Sequence, residues 1–411
     1  MSKKIGIIGA GTAGLHLGLY LRQHDVDVTI FTDKPAEAYA SSRLPNTVAH
    51  HAVTIDRENA LGVNHWDSDE VGYFGHNYYI GTPEPMRFYG KLLSGPSRAV
   101  DYRMYLPLLM KDFEERGGNL VIQSVDPSDL TELSEQFDLL VISTGKGTNA
   151  LFPKIPELSP HTTPQRQLCV GIFKGIAQLP SRAVTMYFSP GAGEMIEIPT
   201  LTFNGLQNAL VIENIPGGDT EILAHTKYDD DPAAFKALLL EKLEKHYPTC
   251  FERIDVEEFD LANSSLDILQ GGVVPAVRET STVLDNGRII VALGDVQATV
   301  DPVLGQGANV ASHAAIIMGE EIVANDSFGP DFVATVDARR NERVHSATNW
   351  TNFMMGALES FPPEFQAFVG ALNASPDLAD TFTDRFNYPE AQWDVFSAPE
   401  RIGAFCEPAA V

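Results

Sequence analysis

The chain has 411 residues, long for a single core, and reads as two lobes assembled from interleaved segments. Apolar residues make up 44% and charged residues 20%, ordinary for a folded enzyme, which argues against a long disordered tail. A formal charge of −26 makes nucleic acid and anionic membrane surfaces poor partners, and three cysteines without CxxC or Cys/His spacing give neither a disulfide framework nor a zinc site. The first apolar run is short and broken by glycine, and no stretch of uncharged apolar residues is long enough to span a bilayer, so a cytoplasmic protein without bound metal is expected.

In chain order, residues 5–8 predict a buried strand, residues 12–24 an amphipathic helix and residues 27–31 a second strand, which together make one βαβ unit. From 35 to 95 Pro, Gly, Asn and aromatic residues are scattered, and loops with short strands are expected there. Helical spacing returns over 102–116 and ends at Gly117-Gly118; strands follow at 120–124 and 139–143. Runs at 169–173, 183–188, 195–203 and 209–213, punctuated by Gly, Pro and Asn, predict a separate antiparallel sheet. Residues 232–246 predict a helix capped by the preceding acids, 288–293 a buried strand and 308–324 a further helix; 330–372 reads as helical, followed by a Pro- and aromatic-rich tail.

The first strand runs into Gly9-Ala10-Gly11-Thr12-Ala13-Gly14, and a helix leaves it. In this setting Gly9 permits the tight turn, Gly11 admits a pyrophosphate to the backbone and Gly14 lets helix and sheet pack closely, while the helix N-terminus at Thr12 and Ala13 faces the phosphate charge. Asp33, 24 positions past Gly9 and just beyond the second strand, is placed to accept from an adenosine ribose. The turn alone does not separate NAD from FAD. A second segment, from Gly294-Asp295 through Pro302 to Gly305-Gln306-Gly307-Ala308-Asn309, resembles the second flavin motif of aromatic-hydroxylase-type FAD monooxygenases. There Asp295 would hold a ribityl hydroxyl, Pro302 would lie against the flavin ring, and the amides of Gly305, Gly307, Ala308 and Asn309 would face charge on the reduced ring.

The chain is similar to the styrene monooxygenase family, oxygenase component, over nearly its whole length. The strings that carry the resemblance are 10–19, Asn46-Thr47-Val48-Ala49-His50, Met86-Arg87-Phe88-Tyr89-Gly90, 261–272 and Trp350-Thr351-Asn352-Phe353. The resemblance implies an α/β fold of the p-hydroxybenzoate-hydroxylase type: a Rossmann-like FAD domain (1–80, 96–150 and 275–330), an interleaved antiparallel β-sheet substrate domain (81–95 and 151–274) and a C-terminal helical region (331–411). It implies a substrate pocket of Asn46, Val48, His50, Tyr73, His76 and Ser97, the last in place once one extra residue is allowed near 92–95. Leu44, Val48 and Pro302 would give its apolar wall, and Arg43 would pair with the FAD phosphate or ring region.

By the same resemblance, a separate NADH-dependent flavin reductase supplies reduced FAD, O2 is the co-substrate, and a C4a-hydroperoxyflavin epoxidises a styrene-like vinyl aromatic; a homodimer is implied. Such chemistry needs no nucleophile or catalytic acid and base from the protein, and none is expected. Indole epoxidation, single-component aromatic hydroxylation and flavin sensing stand as the alternatives at this point.

Overall fold

The computed structural model describes residues 3–81, 86–145 and 148–407. Among them, strands form a six-stranded sheet, a ten-stranded sheet and a two-stranded ribbon. In the six-stranded sheet the order is Ser281–Val283, Ile289–Ala292, Leu139–Ile142, Lys4–Ile8, Asp27–Thr32 and Asn119–Ile122. All neighbours are parallel except the edge pair Ser281–Val283 and Ile289–Ala292. Its central strands are buried on both faces, which is why Ile5 to Ile8 and Leu139 to Ile142 are unbroken apolar runs. Thr12–Gln23, Tyr102–Glu115 and Gly307–Ala324 meet in one core over this sheet, with Leu15, Leu17, Leu19, Leu109, Phe113 and Met318 buried in it.

The second sheet is mainly antiparallel and contains the long pair Gly193–Thr202 and Gly205–Asn214, flanked by Gln167–Lys174 and Val184–Ser189. The segment boundaries expected from sequence shift here. Gly75–Ile80, together with Ala49–His50 and Arg98–Val100, joins this sheet although all three fall in stretches assigned to the cofactor domain. The chain thus leaves the six-stranded sheet after Thr32, stays with the second sheet from Ala49 to Val100 and returns at Asn119, and the loop at 43–48 lies on the first of these crossings.

One further departure concerns a helix. The region expected to be loops and short strands contains the helix Ala52–Leu61, ended by Gly62 at φ 66°. The tail, implied by the resemblance to be part of a C-terminal helical region, is helical as Pro376–Asp384, Pro389–Phe396 and Pro399–Cys406, each begun by its proline. There the missing N–H is an orphan in any case and the fixed φ suits a first turn. With the 31-residue helix Pro330–Ser360 and the helix Pro363–Ala374 the tail helices pack an aromatic core, including Phe365, Phe368, Phe382 and Phe396, against Tyr78 and Phe188 of the second sheet. No helix among the described residues is long and apolar enough to cross a membrane.

Candidate functional site

The glycine turn divides its duties as the spacing suggests. Gly9 has φ 115°, and a Cβ there would stand 2.4 Å from the Ser143 carbonyl oxygen; a Cβ on Gly14 would stand 2.1 Å from that of Gly9. Those two glycines are needed by the fold. A Cβ on Gly11 would meet nothing within 4 Å, because this backbone faces an open cleft.

That cleft joins the two motifs. Gly11, Thr12 and Ala13 line one side, Asp295, Pro302, Gly305, Gly307 and Ala308 another, and Asn46, Thr47, Val48 and Tyr102 close it between them. It holds about 1090 Å³ of empty space, part of it open to solvent, the scale of a site for a large organic ligand. Two helices begin at it, Thr12–Gln23 and Gly307–Ala324, so unpaired amides and the positive ends of two dipoles face the same space. An anionic pyrophosphate against the bare Gly11 backbone and a polar chain beside the Asp295 carboxylate match this donor set, and the cleft therefore fits FAD. Asp33 is exposed just past its strand and is not in the cleft lining. Asn309 is buried: its Oδ1 accepts from the His51 amide (2.9 Å) and its Nδ2 donates to the carbonyls of Ala49 (2.9 Å) and Gly305 (2.8 Å). Its side chain therefore ties the 49–51 segment to the glycine-rich helix start.

Behind the cleft lies a second, mainly apolar chamber, with Pro302 and Gly305 in the wall they share. Tyr73, His76, His51 and Phe386 line it, with Met186, Ile196 and Ile198 from the second sheet. Burial pushes His51 and His76 down to about 3, so both imidazoles are neutral near neutral pH and bring polarity without charge. Among the described residues His76 Nε2, His51 Nδ1 and the cleft-side Asn46 Oδ1 are buried without a hydrogen-bond partner. Buried polar atoms of this kind, beside apolar walls, are the usual means of orienting a small ligand. Ser97 is not among the chamber's lining residues: it is buried and exchanges both backbone hydrogen bonds with Tyr73 (2.8 and 3.0 Å), which is. Leu44 is buried against Tyr73 and Ala49, one layer behind the chamber lining.

Two expectations are corrected. His50 does not line the chamber: its Nδ1 meets Glu58 Oε1 at 2.6 Å and its Nε2 meets the Tyr102 hydroxyl at 2.8 Å. As consecutive residues at a strand end, His50 and His51 turn opposite ways, and His51 takes the chamber side. Tyr102 in turn meets the Thr12 hydroxyl at 2.7 Å, so the pair reaches the cleft from behind. Burial raises the Glu58 carboxyl, but His50 and the Arg98 guanidinium outweigh it and hold Glu58 at about 2. Arg43 does not turn to the cleft either. Its Nη1 donates to the carbonyls of Ser265 and Ile268 (both 3.0 Å) and its Nη2 to Asp229 (3.1 Å), which secures the 43–44 loop to the second sheet.

His51, Tyr102 and Phe386 join the site without belonging to any motif. His51 had the signal of its neighbour, since a two-residue period must send one of two adjacent histidines inward; the others carried none.

A family profile described as "Styrene monooxygenase A putative substrate binding domain" matches residues 145–253. Two curated proteins named styrene monooxygenase StyA, from Pseudomonas fluorescens and a Pseudomonas species, are 63% and 62% identical to this chain over 407 residues, 99% of it and 98% of each of them. Among solved structures, the flavin-dependent brominase Bmp2 superposes with TM-score 0.68 at 16% identity, over 98% of this chain and 97% of its own. The tetrameric form of 2-methyl-3-hydroxypyridine-5-carboxylic acid oxygenase gives TM-score 0.63 at 13% identity, over 94% and 97%. At such identities the last two speak for the fold alone, a mixed α/β architecture with parallel and antiparallel sheets.

Proposed function

The chain belongs to the styrene monooxygenase family, and on that premise we propose that it epoxidises the vinyl group of styrene-like aromatics with O2, using FAD reduced by a separate NADH-dependent flavin reductase. It is a flavin-dependent monooxygenase. The observation that carries the substrate reading is the mainly apolar chamber set directly behind the flavin-fitting cleft, with Pro302 in the shared wall.

FAD, when bound and reduced, supplies the activation of O2 that makes one oxygen atom electrophilic toward an alkene. The chain's contribution is binding, orientation and the exclusion of water. The Gly11 backbone and the Thr12 helix start would hold the pyrophosphate, Asp295 the ribityl chain, and the Gly307 helix start the ring's negative charge. Ile196, Ile198 and Met186 give the alkene a dry surface, and the neutral imidazoles of His51 and His76 add no charge that would draw water in. An alkene needs no proton removed before it accepts oxygen, which is consistent with a chamber whose titratable groups are held uncharged. In keeping with this reading, the enzyme would act in the cytoplasm, as a homodimer, with the reductase as its redox partner; the bound domains would be the six-stranded-sheet unit for FAD and the ten-stranded-sheet unit for the alkene.

The test is to give the protein FAD reduced beforehand, O2 and styrene, with catalase present and no NADH. Styrene oxide should form in amounts that track the reduced FAD supplied. If reduced FAD is reoxidised and no styrene oxide forms, the epoxidase reading is wrong; if epoxide forms, relative rates on styrene and indole rank the two substrates.

A further inference from the structure

We propose that Glu213 is a protonated acid at neutral pH whose hydroxyl donates to the Asp301 carboxylate, and that this pair is a latch positioning the turn that carries Pro302. The proposal rests on the epoxidase reading only for its effect on turnover.

Three carboxyls meet in the interior behind the Pro302 turn. Glu194 and Glu213 lie opposite each other on neighbouring strands, and Asp301 stands within hydrogen-bonding reach of Glu213; all three are buried. A single guanidinium, Arg166, answers them, and it is already engaged. Its Nε and Nη2 grip Glu194 (2.7 and 3.0 Å) and its Nη1 points to Glu359 (3.2 Å). Two adjacent buried carboxylates sharing one cation that serves a third cannot both stay ionised; one keeps a proton, and the proton then bonds them.

Which of the two keeps it follows from their other partners. Asp301 Oδ1 accepts the Val303 amide at 3.2 Å, a bond that favours a carboxylate, while Asp301 Oδ2 receives no hydrogen from any other described donor. Neither oxygen of Glu213 receives one either. Proton on Glu213, acceptor at Asp301 Oδ2, is the assignment that satisfies both groups. Burial, then the Asp301 charge, pushes the Glu213 carboxyl well above its ordinary range. The other titratable groups facing the pair do not undo this: the buried Tyr247 phenol is itself raised by burial, and His161 lies toward Asp301.

Asp301 caps the short 302–304 turn, and Gly305 closes it at φ 62°. Pro302 stands in the wall between cofactor cleft and chamber, so freedom of this turn is freedom of the wall between flavin and alkene. Ionising Glu213 would place a second charge against Asp301 and drive the turn away. Glu213 is thus a positioning residue.

The deciding measurement is the infrared difference between the flavin-free protein and its E213Q variant near neutral pH. A protonated-carboxyl C=O band should be present in the unsubstituted protein and lost in E213Q; its absence overturns the latch whatever the enzyme epoxidises. Turnover supplies a second arm. The share of reduced FAD ending as styrene oxide rather than hydrogen peroxide should fall several-fold in E213A and be restored in E213Q, whose amide still donates. It should also decline at alkaline pH in the unsubstituted enzyme and not in E213Q. Equal shares in E213A and E213Q, or parallel pH profiles, overturn the positioning role. If E213A does not fold, the infrared band and the E213Q pH profile decide alone.

Discussion

Gly11 differs from the other glycines of its turn in what a side chain would strike. At Gly9 and Gly14 a Cβ collides with backbone, whereas at Gly11 it enters the cleft. Gly11 is also extended (φ −81°, ψ −176°), a conformation valine adopts readily. Gly11→Val should therefore leave the flavin-free protein folded, with a melting temperature within a few degrees of the unsubstituted chain. It should weaken FAD binding by at least about 100-fold, or ~2.7 kcal/mol, since the new methyls occupy the pyrophosphate's place. Flavin fluorescence titration beside a thermal melt separates the two effects, and unchanged affinity would refute the phosphate role of this turn. The duties of these glycines were legible because each depends on local spacing alone. The directions of His50 and Arg43 were not, because each is set by partners distant in sequence: Tyr102 for one, Ser265 and Ile268 for the other.

At the scale of elements, a buried polar network joins pieces that the core packs but does not orient. Glu58, on the helix Ala52–Leu61, holds His50, Arg98 and the Tyr105 hydroxyl, and His16 on the glycine-turn helix meets Tyr105 (2.8 Å) and Ser312 (3.0 Å). Removing the carboxylate leaves Arg98 as an uncompensated buried charge. Glu58→Ala should therefore cost about 3–5 kcal/mol in urea unfolding of the flavin-free protein. A loss below about 1 kcal/mol, the scale of an exposed ion pair, would mean the network is solvated. The same residue explains why this helix was hidden in the sequence. Its buried face is Ala52, Thr54, Ile55, Glu58 and Leu61, and the polar members break the apolar period that marks a helix. The βαβ unit, the long antiparallel pairs and the capped helix Pro232–His246 were plain because their patterns are apolar and local. The tail helices were legible only through the resemblance, because their prolines break the residue pattern yet sit at first turns.

Over the whole molecule, the buried histidines set an acid limit to stability. Burial lowers His16 to about 4 and His51 and His76 to about 3, from an ordinary value of 6.5. Between those values the unfolded chain takes up protons that the folded chain refuses, so stability falls as pH falls from about 6.5 toward 4. Each fully refused proton costs about 1.4 kcal/mol per pH unit, and three together over about two units approach the 5–15 kcal/mol that holds a typical domain. Glu58, held at about 2 against an ordinary 4.5, adds to the loss at still lower pH. Glu213 acts with the opposite sign: its carboxyl is raised, so its contribution is full at low pH and fades as pH climbs through the raised value. The flavin-free protein should therefore melt at its highest temperature near neutral pH, lose several degrees by about pH 5.5, and unfold with uptake of more than one proton per chain. Thermal melts paired with potentiometric proton counting check this. A melting temperature that stays flat down to about pH 5 would show that the chamber histidines are hydrated or charged, and would remove the dry, uncharged surface on which the alkene site is argued.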